Sequence, residues 1–340
     1  MPPLRETFHD RSMDLPTQLL RGAIDIHVHA GPHLRSSPRR LDPIQAAEEA
    51  RAAGMRALVY MDVFKESAGT AWLVGRRVRG IDAYGGIILN SVYDGLNVRA
   101  VKTALAYGAG ARFVSLGAHS TAYLVRREGR IVDGHTVPYV DSHPAFAAEE
   151  LPRAIEVPLT DPIPEALDTI LALVGEHPHV YLNTGHVSPA EALRLVELAP
   201  RYGIERVLIA HFARRRMTLE QQRHAAQAGA FLESAFADNV YPTGIPRTHY
   251  YVEREYLSEG VADDRKGPGG LGVLAEEIRA IGPEHFVLCS DYGIRGTPTP
   301  VEGMRQFAAA LLDLEFSVDD VHAMIARNPA RLLALPAVRE

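Results

Sequence analysis

One cysteine in 340 residues, Cys289, leaves no partner for an internal disulfide, and its run FVLCSD reads as a buried strand. That usage fits a reducing compartment. Basic charge is not in excess, since 36 Lys and Arg stand against 42 Asp and Glu for a formal net charge of -6. A protein that grips nucleic acid or an anionic membrane surface carries a basic face, so neither partner is expected and a small-molecule substrate is. No apolar run approaches the roughly 20 residues that span a bilayer, and the opening MPPLRETFHD lacks the apolar centre of a secretory signal. The expectation is a cytoplasmic protein. No glycine-rich phosphate fingerprint follows the first strand-like run, which weighs against an open, doubly wound nucleotide-binding sheet.

What is present is an apolar content of 46%, ample for one large core, in a length typical of eight strand and helix pairs. Short β-branched runs recur at 23–29, 56–61, 86–90, 112–116, 179–183, 206–211, 230–234 and 285–291, each followed by a helical pattern. This alternation predicts an α/β fold of the TIM type, a closed, parallel, eight-stranded (β/α)8 barrel. Residues 21–340 read as that single domain. Residues 1–20, rich in proline and charge, read as an N-terminal arm that packs on the outside or on a neighbouring subunit, or hangs as a tail. Assembly into a homo-oligomer is left open.

Helix boundaries are written in the caps. Asp42, Pro43 and Gly54 frame the first helix with a cap, a first-turn proline and a glycine stop. Ser188, Pro189 and Glu191 open a second, and Thr218 with Gln221 a third, as capping boxes. Two connections are too long for turns, 117–161 after the fourth strand and 235–270 after the seventh. Both are expected over the mouth. The first holds REGRIVDGHTVPYV, readable as a hairpin, and the second holds Tyr241, Tyr250, Tyr251 and Tyr256.

The chemistry starts at GAIDIHVHAG, where His27 and His29 are two residues apart on a strand and so share a face. His186 follows the fifth run, His211 ends the sixth, Glu233 lies on the seventh and Asp291 ends the eighth, all at carboxyl ends of strands, where barrel enzymes keep their working groups. Neutral imidazoles with a carboxylate suit zinc or a similar divalent ion with a place for water. Such an ion lowers the pKa of water so that hydroxide attacks a carbonyl, with Asp291 accepting the proton and returning it to the leaving group.

This pattern resembles the amidohydrolase superfamily, marked by a histidine pair on strand one, single histidines on strands five and six, and aspartate on strand eight. The resemblance covers nearly the whole chain. NPARLLAL is similar to the last helix of such enzymes, and GHVSPAEALRLVELAPRYGIERVLIAH to an uncharacterised amidohydrolase-like family within the group. It implies His27, His29, His186, His211 and Asp291 as metal-site positions and Asp291 as the catalytic group. Many two-metal members carry a carboxylated lysine at the end of strand four, yet ARFVSLGAHS has none. The chain has only Lys65, Lys102 and Lys266, so one ion is favoured over two, with His119 or Glu233 as substitute ligands if there are two.

Asn90, His119 and Asn183 are candidate substrate contacts near the mouth, with turn formation and loop capping as the alternatives. Asp25 shares the expected facing of the histidine pair and is read either as an orienting group or as structural. The Arg214, Arg215, Arg216 run is read as a solvated stretch before the Thr218 cap, with carboxylate recognition as the rival. The leading function is a metal-dependent hydrolase of an amide, lactone or ester. A metal-dependent decarboxylase or lyase of the same superfamily is the alternative, and a non-catalytic binding barrel the third class.

Overall fold

Parallel strands carry each of the expected runs in the computed structural model, which describes residues 14–33, 38–133, 135–240 and 270–336. They are Ile24–Val28 (β1), Ala57–Tyr60 (β2), Gly86–Leu89 (β4), Phe113–Leu116 (β5), Tyr181–Asn183 (β8), Val207–Ile209 (β9), Phe231–Ala235 (β10) and Phe286–Cys289 (β11). An additional short strand, Asp82–Tyr84 (β3), precedes β4 and was not anticipated, because exposed Asp82 breaks the apolar pattern that marks the others. The parallel strands form a three-stranded sheet, β1-β2-β3, and a six-stranded sheet, β11-β10-β9-β8-β5-β4. Between β1 and β11, His29 N donates to Tyr292 O at 2.9 Å and Asp291 N to His27 O at 3.1 Å. The segment expected as a hairpin is one: Gly129–Val132 (β6) pairs antiparallel with His135–Pro138 (β7).

The capping chemistry operates as the sequence implies. Asp42 and Gln45 form a capping box at Pro43–Ala52 (α2), as do Ser188 and Glu191 at Pro189–Leu198 and Thr218 and Gln221 at Leu219–Gln227. Each box satisfies two backbone donors at the first turn, where no intrahelical acceptor exists. Glu191 also accepts from Val157 N, tying the long connection after β5 to the helix that follows β8. Of the segment 1–20, the described part is Asp14 to Leu20, including the helix Leu15–Leu19 (α1), with Leu19 and Leu20 buried in the main core. The tyrosines at 241, 250, 251 and 256, and Lys266, lie outside the described residues. Among the described residues no helix is long and apolar enough to cross a membrane.

Two apolar layers explain the strand pattern. One face of the strands, with Leu58, Ile87, Val114, Leu182, Ile209, Leu232 and Leu288, packs under the helices. The other, with Ile24, Ile26, Val59, Ile88, Phe113, Tyr181, Leu208, Phe231, Val287 and Cys289, forms a cluster of its own. Burial on both faces is what parallel strands require, and it removes the polar alternation of a half-exposed sheet. Each fully buried aliphatic side chain contributes about 1.5–3 kcal/mol.

Strand β1 departs from simple alternation where the site begins. Ile24 and Ile26 lie in the second cluster, so Asp25 between them faces the other way, whereas Val28 belongs to the helix-side layer. The change of facing coincides with a shift of register against β2 between Asp25 and Val28. Such a bulge re-aims side chains, and here it turns His27 and His29 to the inner side. The expectation that Asp25 shares their facing is therefore corrected. Its carboxylate accepts from His27 N, Ser290 N and Ser290 Oγ, lacing β1 to the chain after β11.

Gly293 closes this seam. Its φ is +135°, and a Cβ there would collide with the His29 carbonyl oxygen. Gly293→Ala is expected to destabilise the protein by at least about 2 kcal/mol through backbone strain and collision. Urea denaturation measures this, and an unchanged midpoint would contradict the seam as described.

Candidate metal centre

Four of the five expected metal-site residues come together, and they do so in a defined orientation. His27 Nδ1 lies 2.8 Å from Glu233 Oε1, His29 Nδ1 lies 2.9 Å from the Met61 carbonyl oxygen, and His211 Nδ1 lies 2.6 Å from Asp238 Oδ2. A carbonyl oxygen and ionised carboxylates only accept, so each Nδ1 carries the hydrogen and each neutral ring presents a lone pair at Nε2. On that side His29 Nε2 is 3.0 Å and His27 Nε2 3.4 Å from the single oxygen Asp291 Oδ1. Ring centroids stand 5.0 Å apart for His27 and His29 and 5.4 Å for His27 and His211.

Among the described residues, three overlapping groups of donor atoms are compact enough to hold one ion: His27, His29 and Asp291; His27, His211 and Glu233; His211, Asp238 and Asp291. Imidazole nitrogens with a carboxylate, each ring anchored through its second nitrogen, form a donor set that fits zinc or a similar divalent ion. His186 is the fifth expected residue and lies outside these groups. Its ring is 5.3 Å from that of His211 and stacks at 4.5 Å and 15° on Phe212, whose other contacts include the Arg216 guanidinium at 3.6 Å.

The strands explain the placement. Glu233 and Asp291 continue the inner faces of β10 and β11, two residues beyond Phe231 and Cys289 respectively. Asp291 adopts φ +54°, a left-handed conformation that aspartate tolerates better than bulkier residues and that is enriched at working sites. Glu233 also accepts from His211 N at 2.8 Å, so one carboxylate fixes the ring of one histidine and the backbone of another. Sequence reasoning offered Glu233 only as a substitute ligand and missed Asp238. Nothing in the local pattern of Phe236–Val240 separates Asp238 from an ordinary acid in the first turn of a helix.

The remaining candidates have other duties. Asn90 is 4% exposed, donates from Nδ2 to Val63 O and accepts at Oδ1 from Ala118 N and His119 N, so its amide braces loops and is not presented as a carbonyl-binding donor. Asn183 accepts from Gly185 N, the loop-capping alternative. His119 lies beside His186, with ring centroids 6.4 Å apart, and its Nδ1 is 3.8 Å from buried Glu128. The arginine run is not solvated. Arg214 is 1% exposed, donates to Glu233 O and pairs with Glu277, Arg215 donates to Asp238 O, and Arg216 lies over Phe212.

A family model described as "Family of unknown function (DUF6282)" matches residues 22–233, well over half of the chain. The chain belongs to DUF6282. Among curated proteins, nothing matches it. Solved structures share its fold: the probable dipeptidase PvdM from Pseudomonas aeruginosa, with 11% identity over 94% of this chain and 96% of that one and a TM-score of 0.56, is one. An amidohydrolase from Burkholderia multivorans with bound zinc has 13% identity over 92% and 99% and a TM-score of 0.53. A putative 2-pyrone-4,6-dicarboxylic acid hydrolase from Pseudomonas putida has 17% identity over 92% and 97% and a TM-score of 0.50. At these identities the likeness is one of fold: this DUF6282 protein shares the parallel α/β architecture of these enzymes.

Charge around the DUF6282 site is organised for a cation. Burial pushes the His27 imidazole down, but the Asp291 and Glu233 carboxylates outweigh it and raise it to about 9. Burial dominates at His29 and lowers it to about 4. Burial would raise Asp291 as well, yet His27, His29 and His211 hold its carboxyl below the ordinary range. With the ordinary imidazole value at 6.5, His27 stabilises the metal-free fold fully below that pH and loses the contribution as pH rises through 9. At pH 7.5 the metal-free ring therefore carries a second proton, on Nε2, that a metal must displace to reach the neutral form. Burial lowers His211, but Asp238, Glu233 and Asp291 outweigh it and raise that ring as well, so zinc titrated calorimetrically into metal-free protein in buffers of different ionisation enthalpy is expected to release at least about one proton. An enthalpy independent of buffer would contradict this.

Asp238 offers a second check. Asp238→Ala removes the acceptor that fixes the His211 tautomer and is expected to weaken zinc binding about 10- to 100-fold. A competition assay with a chromogenic chelator reads the change.

Proposed function

We propose that this protein is a metal-dependent hydrolase that cleaves an amide, lactone or ester bond of a small organic molecule. The observation that carries the proposal is the convergence of His27, His29 and His211, each anchored through Nδ1, on the carboxylate of Asp291. The architecture shared with these enzymes supports it, and neighbours named as a dipeptidase and as a pyrone-dicarboxylic acid hydrolase make both amide and lactone bonds reasonable targets. We read the two parallel sheets as one closed eight-stranded barrel, with β3 and β4 as a single strand interrupted at Gly85 and the seam at His29 and Tyr292. Neither nucleic acid nor membrane is proposed as a partner.

His27, His29, His211 and Asp291 would hold one divalent ion, zinc by the donor set, with His186 at the edge of the group as the further ligand. Bound there, the ion supplies Lewis acidity, polarising a carbonyl and lowering the pKa of water to about 7. The chain's own residues do the rest. Asp291 accepts the proton of the attacking water and returns it to the leaving nitrogen or oxygen. Glu233, Asp238 and the Met61 carbonyl keep the rings from turning, and His119 lines the space in which the substrate lies.

The test is turnover of a panel of small amides, lactones and esters in water enriched in oxygen-18. The expected result is one solvent oxygen in the product carboxylate, with turnover abolished by chelation and by His27→Ala and reduced at least about 100-fold by Asp291→Asn. Release of carbon dioxide from a carboxylic acid substrate without solvent oxygen in the product would overturn hydrolysis in favour of a lyase.

A further inference from the structure

Arg39 is the group that neither the metal centre nor the fold absorbs. After β1 the chain turns back to make an antiparallel bridge between Arg39 and Ile294, three residues past Asp291. Beside the bridge, Arg40 N donates to Gly293 O at 2.7 Å and Arg295 N to Pro38 O at 3.1 Å. Gly293 itself lies against the His29 backbone. Two segments that follow metal-site residues thus form a clip, and Arg39 sits on it within the electrostatic reach of His29, Asp62 and Asp291.

The guanidinium is held there at a cost. Its Nε is buried and meets no acceptor among the described residues. Burial also draws its pKa down to about 10, against the pull of Asp62 and Asp291. An unpaired buried donor on a charged group costs more than a neutral one, so a structural role would be expected to pair it. Asp62, the acid that pulls most strongly on it, already accepts from Phe64 N at 2.9 Å and lies 3.9 Å from Lys65 Nζ. A guanidinium offers a planar fork of donors that matches a carboxylate in two parallel hydrogen bonds, which a lysine cannot reproduce.

We propose that Arg39 recognises a carboxylate on the substrate, so that the site takes small organic acids and holds the scissile carbonyl away from that carboxylate, over the metal-ligating histidines. This assignment of substrate class rests on the hydrolase reading for the position of the reacting bond. It does not rest on it for the anion contact.

The test measures binding of malonate, succinate, glutarate and adipate to zinc-loaded protein by calorimetry, with butyrate as the single-carboxylate reference. At least one diacid is expected to bind the wild type about tenfold or more tighter than butyrate, through simultaneous engagement of the ion and the fork. Arg39→Gln is expected to reduce that diacid to the butyrate level while leaving zinc content unchanged, and Arg39→Lys to recover part of the difference. Diacids that bind the wild type no better than butyrate would overturn the proposal, as would a preference that survives in Arg39→Gln. If Arg39→Gln does not fold, judged by circular dichroism and melting temperature, Arg39→Lys decides: unchanged diacid affinity overturns the proposal and a loss supports it. A wild type that turns over no ester or amide, yet loses tenfold in diacid affinity on Arg39→Gln, would reject hydrolysis and uphold Arg39.

Discussion

A fully buried carboxylate, Glu233, is the contact on which the site depends. Its two oxygens are divided between the His27 ring and the His211 backbone, so that β1, β10 and the end of β9 meet on one group. A buried carboxylate is costly unless it is paired and its lone pairs are satisfied. Burial alone would raise its pKa, yet His27 and His211 hold it below the ordinary value and keep it ionised. The ionised form can only accept, which fixes the hydrogen on His27 Nδ1 and leaves Nε2 for the site.

Around this contact the surrounding acids and arginines form a supporting ring. Asp238 does for His211 what Glu233 does for His27, and Arg215 holds Asp238 through its backbone carbonyl and side chain. Arg214 reaches behind β10 to the Glu233 carbonyl and out to Glu277. Arg216, Phe212 and His186 form a stack of guanidinium, phenyl and imidazole beside His211. Three successive arginines that look like a solvated charge run are therefore each engaged with a different part of the site's support. On the opposite side the clip between Arg39 and Ile294 and the close approach of Gly293 to His29 join the first strand to the segment after the last. The working groups are thus fixed from both flanks.

Local chemistry was readable where it is local. The two-residue spacing of His27 and His29, the capping boxes at Ser188 and Thr218, and the hairpin at 129–138 each follow from backbone geometry over a few residues. Strand positions were legible as apolar runs because both faces are buried. The bulge in β1 was not, since nothing in IDIHV announces a change of register against β2. Asn90 misled for a related reason: an amide at a strand end has the right chemistry for a substrate, and only its partners at Val63, Ala118 and His119 reveal a brace.

The amino-acid order by itself determined the alternation of strands and helices, the helix starts and the presence of imidazoles at strand ends, because these depend on side-chain periodicity and on neighbours within a turn. Tertiary structure alone decided which acid serves which ring. Glu233 lies 206 residues from His27 and Asp238 lies 27 from His211. A hydrogen bond between such partners exists only once the strands are side by side, so their pairing, the tautomers they impose and the direction of each Nε2 are properties of the folded chain.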